Sequence, residues 1–475
     1  MKIKILIFCC FTALLISCSP RHAPQSAGID KSNSLSIETW LTDAKESVFF
    51  AKQKNDLQFT SQQNQLPSIG VDANKKFQQV DGFGFCLTDG SAMLLNQMKE
   101  PEKTQLLNEL FSTKSNGIGI SYLRITIGAS DLSDHVFSYD DLPAGETDIN
   151  LAHFSIDEDK KDLIPILKRI LKIDPQMKIL GSPWSAPVWM KDNNSSIGGN
   201  LQKKYYDVYA NYFVKYILAM KDEGVNIDAI TPQNEPLNPK NNPSMYMSAE
   251  DERDFIKNSL GPAFEKAGIT TKILCYDHNA DEPGYPLTIL NDPDTRKYVA
   301  GSAFHLYAGK IDALSKVHDS YPDKGIYFTE QYTGSGSSFQ GDLSWAIQNL
   351  IVGASRNWSR NVLEWNLASD PNLEPHTDGG CNTCLGAVTI DKDQFKRNQS
   401  YYIIAHASKF VRPGSFRVES NQINDLPNVA FQTAKGNIVL IVLNAGKDQK
   451  SFNISYESKS AVTSLNPGAV ATYVW

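Results

Sequence analysis

Ala229-Ile-Thr-Pro-Gln-Asn-Glu-Pro236 reads as a short apolar strand that runs straight into Asn234 and Glu235. Ile326-Tyr-Phe-Thr-Glu330 repeats the pattern, with Glu330 at the tip of another apolar run. An acid directly after a buried strand projects from the rim of a sheet into whatever cavity lies there. Alone, either glutamate is an ordinary solvated loop acid. Together on one rim they supply a proton donor for a leaving oxygen and a carboxylate to attack or stabilise an anomeric carbon, the two groups that glycoside hydrolysis requires.

Outward from these two segments, from Asp81 to about Lys409, short β-rich runs alternate with amphipathic helical stretches. That is the rhythm of a parallel sheet covered by helices. The expected strands are Val80–Phe85, Tyr122–Ile127, Lys178–Pro183, Ala229–Gln233, Lys272–Tyr276, Gly301–His305, Gly325–Thr329 and Asn361–Trp365. Between them, Leu163, Ile166, Leu167, Ile170 and Leu171 keep helical spacing, as do Tyr206, Tyr209, Phe213, Tyr216 and Ile217. Pro165 predicts a late start or a kink in the first of these helices.

Eight strand–helix units fit a closed (β/α)8 TIM barrel, although an open doubly wound sheet gives a similar rhythm. The polar residues decide between them. Seven of the eight runs end in, or lead at once to, a chemically capable residue: Asp89, Asp131, Trp184, Asn234–Glu235, His305, Glu330 and Trp365. Barrel enzymes carry their chemistry at this edge. The expected organisation is α/β, with a catalytic barrel over residues 79–410. Residues 411–475 read as a β-sandwich of short alternating strands split by Asn-Ala-Gly-Lys and Asn-Pro-Gly turns. Residues 35–78 are too short to fold alone and contribute strands to that sandwich.

Lys2 and Lys4 precede an apolar run from Ile5 to Ile16 that is too short to span a bilayer and suits a signal peptide over residues 1–17. It ends Leu15-Ile16-Ser17-Cys18, which resembles the bacterial lipobox and implies cleavage before Cys18 and acylation of that cysteine. Residues 18–34 would then form a polar tether, leaving the protein exported and lipid-anchored in the cell envelope, periplasmic or at the surface.

Apolar residues make up 41% of the chain and charged residues 21%, enough for a sizeable core and too ordered a composition for wholesale disorder. A net charge of −7 without a long basic run argues against nucleic acid as partner. Cys381-Asn-Thr-Cys384 lacks the second ligand pair that a structural zinc needs, so the expectation is a local disulfide or two thiols, and no metal.

Seven segments carry a family resemblance: Gly82-Phe-Gly-Phe-Cys-Leu-Thr-Asp89, Tyr122-Leu-Arg124, Ser182-Pro-Trp-Ser-Ala-Pro-Val-Trp189, Gln233-Asn-Glu-Pro236, Phe328-Thr-Glu330, Trp365-Asn-Leu-Ala368 and Ser408-Lys-Phe-Val-Arg-Pro-Gly414. In this order the chain resembles glycoside hydrolase family 30, the family of glucosylceramidase and of bacterial and fungal β-1,6-glucanases. The resemblance implies Glu235 as general acid/base and Glu330 as nucleophile of a retaining mechanism. It implies that Asn234 holds the sugar 2-hydroxyl and that Asp89, Trp184 and Trp365 line the terminal glucose site. His305 and Tyr307 would lie beside Glu330, and Arg124 would pair with a rim carboxylate. No cofactor is implied, because two carboxylates suffice for the reaction.

Gly379-Gly-Cys-Asn-Thr-Cys-Leu-Gly386 departs from the glucosylceramidase branch and stands closer to the glucanase branch. Phe85-Cys86 departs as well, replacing the usual small pair after Gly84. The expected activity is therefore endo-β-1,6-glucanase, with glucosylceramidase-type cleavage of a glycolipid as the alternative. A non-catalytic glycan-binding lipoprotein is the reading from another class. A serine hydrolase is disfavoured because no G-x-S-x-G elbow stands in a suitable context.

Overall fold

A computed structural model describes residues 35–62 and 64–475; the expected signal peptide, Cys18 and the tether lie outside the described residues. Eight parallel strands close into a barrel: β1 (Gly82–Leu87), β2 (Tyr122–Thr126), β3 (Lys178–Ser182), β4 (Ala229–Ile230), β5 (Lys272–Ala280), β6 (Val299–Gly309), β7 (Gly325–Glu330) and β8 (Ser359–Asn366). Each strand pairs with the next, and β8 closes onto β1 through Asn361↔Gly82 and Leu363↔Gly84. A Cβ on Gly84 would lie 1.9 Å from the Tyr122 carbonyl oxygen, so the Gly82-Phe-Gly84 stretch is a packing requirement of the β1–β2 seam. β4 is only two residues long, because Pro232, one residue beyond Thr231, cannot donate to the ladder.

The helices bury the stripes that periodicity predicts. Leu163–Ile173 buries Leu163, Ile166, Leu167 and Ile170, and Tyr206–Asp222 buries Tyr209, Phe213 and Tyr216. Pro165 neither delays nor kinks its helix. It is the third residue, where the missing N–H has no intrahelical acceptor to lose.

A second core lies in the β-sandwich, whose ten-stranded sheet joins chain ends far apart in sequence. Ser36–Asp43 pairs with Val470–Val474, and Ser68–Gln79 sits between Phe416–Ser420 and Lys450–Tyr456. Ile37, Ile69, Val71, Leu440, Phe452, Ile454 and Tyr473 fill this core. The N-terminal segment thus completes a sheet that the C-terminal segment leaves open.

Inside the barrel the two-residue period of the strands stacks the side chains in layers. Tyr122, Leu180, Ala229, Leu274, Ala303, Tyr327 and Leu363 form an apolar floor. Two residues further along the same strands come Arg124, Ser182, Thr231, His305, Thr329 and Trp365. The floor carries a polar storey, and the site stands on it.

Candidate active site

On β5 the same count arrives at Tyr276, but Tyr276 (φ 80°) and Asp277 (φ 58°) both take left-handed backbone, and the register of β5 against β6 shifts beside them. The side chain delivered to the polar storey is therefore Asp277. It is fully buried, and its carboxylate accepts from Arg124 Nη2 (2.7 Å), Thr231 Oγ1 (2.8 Å), Ser182 Oγ (3.1 Å), Thr329 Oγ1 (2.7 Å) and His305 Nε2 (3.2 Å). Burial alone would raise the Asp277 pKa; the Arg124 charge and the His305 and Thr329 bonds outweigh it and hold the carboxyl far below its ordinary range. Glu252 braces the strained turn, accepting from Tyr276 N (3.1 Å) and from Tyr285 Oη (2.8 Å).

Arg124 converts that buried charge into a scaffold. Its Nη1 donates to Glu330 Oε2 (2.5 Å) and its Nη2 also donates to Asn234 Oδ1 (2.6 Å). Its guanidinium lies 4.8 Å from the Trp184 ring and 5.8 Å from that of Trp365. The two indoles stack on each other at 5.1 Å. With its Oδ1 taken, Asn234 keeps its amide nitrogen as a donor toward a ligand.

The two glutamates converge on one nitrogen of His305. Glu235 also has left-handed backbone (φ 43°), and its N–H donates to the Asp277 carbonyl (3.0 Å), so the β4 and β5 tips hold one another. Its Oε2 accepts from Asn238 Nδ2 (2.7 Å), and its Oε1 lies 3.2 Å from His305 Nδ1. Glu330 accepts from Tyr307 Oη on Oε1 (2.8 Å), and that oxygen lies 3.7 Å from the same His305 nitrogen. The triangle limits the two carboxylate oxygens to a separation of about 7 Å at most, below most of the inverting range and compatible with the 5–5.5 Å of retaining enzymes.

The charges follow from these contacts. Burial opposes a proton on His305, but Glu330, Asp277 and Glu235 raise its pKa to about 9. Burial would also raise Glu235, yet the His278 and His305 imidazoles hold that carboxyl well below its usual range. Glu330 is pushed up by burial and by the Glu235 charge, against His305 and Arg124. One proton, on the His305–Glu235 contact, is thus available beside a second carboxylate.

A cleft of about 480 Å³ opens over this pair, lined among others by Asp131, Trp184, Trp365, Tyr307, Tyr332, His278 and the loop Leu237–Asn241. That volume suits a sugar-sized ligand. Glu235, Glu330, Trp184, Trp365 and Tyr307 face it together, with Asn234, His305 and Arg124 directly behind. Asp89 does not join them. Its Oδ2 accepts from Thr126 and Ser133, and it lines a separate small cavity beside His135. The acid at that end of the cleft is Asp131, whose carboxyl burial and the charges of Glu330 and Glu235 raise to about 7.

Cys381 and Cys384 form a disulfide in the cleft wall. Three residues of the site escape the sequence reading: Asp277, His278 and Tyr332. The first two follow the expected strand Lys272–Tyr276 immediately, so the strand-end rule applied to the fifth run would have found them. Tyr332 stands two residues past Glu330 without any such signal.

The comparisons with known proteins agree with this architecture. The glycosyl hydrolase family 30 TIM-barrel domain matches residues 80–411, and the family's beta sandwich domain matches residues 414–473. An endo-1,6-beta-D-glucanase of Neurospora crassa is 37% identical over 350 residues, 71% of each chain. The lysosomal acid glucosylceramidase of Mus musculus is 31% identical over 436 residues, 86% of this chain and 83% of the other. The solved structure of the endo-beta1,6-glucanase BT3312 superposes with a TM-score of 0.86 at 34% identity, covering 93% of this chain and 99% of that one. Barrel, sandwich and both stretches of sequence lead to the same place: the chain is a glycoside hydrolase and belongs to glycosyl hydrolase family 30.

Proposed function

We propose that this enzyme is an exported endo-β-1,6-glucanase that works by double displacement, with Glu330 as nucleophile and Glu235 as general acid/base. The observation that carries the reading is the convergence of both carboxylates on His305 Nδ1, at 3.2 and 3.7 Å, under one sugar-sized cleft. Arg124 and Tyr307 each give Glu330 a fixed donor, which favours the anionic form that attacks C1. The proton on His305 Nδ1 passes to Glu235 Oε1 as the sugar displaces water, and from there to the leaving oxygen. Glu235 then takes a proton from the water that releases the glycosyl group from Glu330. The Asn234 amide is free to meet a hydroxyl of the sugar ring, and the stacked indoles with Asp131 bound the terminal glucose.

The β-1,6 preference rests on the glucanases of Neurospora crassa, Aspergillus fumigatus and Trichoderma harzianum, at 37%, 38% and 36% identity. The longer match with mouse glucosylceramidase favours a second reading, the same chemistry on a glycolipid. A panel of β-1,6-glucan, β-1,3-glucan, a β-xyloside and glucosylceramide tests both. The expected result is turnover of β-1,6-glucan with the β-anomer formed first by NMR; an α-anomer overturns the mechanism, and turnover of glucosylceramide alone overturns the glucanase reading. A binding-only lipoprotein leaves a buried, hydrogen-bonded pair of acids without a purpose.

The envelope address rests on the sequence of residues 1–34. Radiolabelled palmitate should enter the wild-type protein and not Cys18→Ala; equal labelling would remove Cys18 as the acylated residue, and no labelling of either would remove the anchor.

A further inference from the structure

The retaining reaction uses Glu235, Glu330 and His305 directly, and His278 enters it only by helping to hold the Glu235 carboxyl low. His278 is 8% exposed, it lines the cleft, and its Nδ1 is shielded from solvent without a hydrogen-bond partner. A buried polar nitrogen left unmatched is costly, so its persistence beside the acid/base requires a reason. That nitrogen points at Glu235 Oε1, 3.7 Å away, the same oxygen that His305 Nδ1 approaches at 3.2 Å. Among the described residues, these three form the one trio whose ligand atoms all lie within 4.8 Å of one another.

We infer that Glu235, His278 and His305 form a binding site for a divalent transition metal of the zinc or copper type, and that occupancy holds the enzyme inactive. The donor set is two imidazole nitrogens and one carboxylate oxygen, the set that zinc takes in open sites with a fourth position left for water; the metal displaces the proton that His305 Nδ1 shares with Glu235 and releases it to solvent. Ligand atoms around tetrahedral zinc sit about 3.3 Å apart, given bond lengths near 2.0–2.1 Å. Two of the separations, 3.2 and 3.7 Å, are already close to that, and the third lies within 4.8 Å, so the His278 and His305 nitrogens need only draw together around the ion. The outer support is present too: His305 Nε2 bonds Asp277 Oδ1 at 3.2 Å, the carboxylate–histidine–metal arrangement that fixes a ligating imidazole. The fourth position faces the cleft, which is also the route of entry.

Metal on Glu235 Oε1 occupies the oxygen that has to carry the proton and fills space the leaving sugar needs. Inhibition therefore rests on the assignment of Glu235 as acid/base, whereas binding rests on the trio alone.

Calorimetric titration of the purified protein with zinc chloride separates the two. The expected result is one site per chain, with His278→Gln and Glu235→Gln each weakening it at least tenfold. Zinc should inhibit glucan hydrolysis competitively, with recovery on adding EDTA. Anomalous scattering from a zinc-soaked crystal should peak between the three side chains. Absence of binding, unchanged affinity in both variants, or a peak elsewhere overturns the site. Binding at the trio without inhibition overturns the catalytic assignment of Glu235 and leaves the metal site standing. If His278→Gln does not fold, by circular dichroism, Glu235→Gln and the anomalous map decide.

Discussion

Asp277 and His305 are joined by a 3.2 Å hydrogen bond between Oδ1 and Nε2, with neither side chain open to solvent. Ionised Asp277 only accepts, so Nε2 carries a proton and Nδ1 faces the glutamates. Any proton on Nδ1 is the one shared with Glu235, and His305 keeps it up to about pH 9. Activity therefore falls as pH rises through that value, because the free enzyme loses the proton it must donate. The acid limb belongs to Glu330, whose carboxyl titrates above its ordinary 4.5. In kcat/KM against pH, His305→Asn should move the basic limb downward and, by removing the charge that opposes the rise in Glu330, shift the acid limb upward. A basic limb that does not move would remove His305 from the proton path.

The two glutamates can be told apart by a small nucleophile. Glu330→Ala should lose about 10⁴-fold or more in kcat, and added azide should restore turnover of an activated β-glucoside as the α-glucosyl azide, since one displacement inverts C1. Glu235→Ala with azide should give the β-product, because Glu330 still attacks first. NMR of the products reads the anomer; exchanged outcomes would reverse the two roles.

Arg124 is buried completely, and its main counter-charges are Asp277 at 2.7 Å and Glu330 at 2.5 Å. Asp277→Ala leaves one of these interactions missing in a site that water does not reach. Removing a partner from a buried ion pair costs about 3–5 kcal/mol. Urea denaturation should show a loss of that order, while Glu330→Gln, which keeps the shape and the Asp277 pair, should lose much less. Equal losses would mean that Arg124 is not balanced chiefly by Asp277.

The barrel was legible because strand runs and helical stripes report local periodicity, and each expected strand has a counterpart among β1 to β8. The acids at the tips of β4 and β7 were legible for the same reason. Asp277 was legible only as an acid at a strand end; its place in the storey depends on two residues with positive φ and a register shift, and neither Tyr276 nor Asp277 advertises that geometry. Asp89 misleads in the opposite way. It follows β1 directly, yet as the first residue of the helix Asp89–Gln97 it bonds Thr126 and Ser133, while Asp131 beyond β2 reaches the cleft. Sandwich pairings such as Ser68–Gln79 with Lys450–Tyr456 join residues nearly four hundred positions apart, beyond any local pattern.

Glu364, one residue before Trp365, shows a buried acid that the fold tolerates at a cost. It is 2% exposed; Thr333 Oγ1 donates to its Oε2 at 3.2 Å, and its Oε1 has no partner. Burial raises its pKa to about 8, with the Thr333 bond opposing and the Asp342 charge adding to the rise. Unfolded, the carboxyl titrates near 4.5, so between 4.5 and 8 the native state binds more protons than the unfolded state. Stability must then fall as pH rises through that window, by about 5 kcal/mol at most. Glu364→Gln keeps an acceptor for Thr333 and removes the titration. Its amide nitrogen still needs a partner, so near pH 4 the variant should match the parent or fall slightly below it. By pH 8 it should be the more stable of the two. Urea midpoints at both pH values test this: the variant's advantage must grow with pH, and a constant difference would show that Glu364 ionises in the fold as freely as in the open chain.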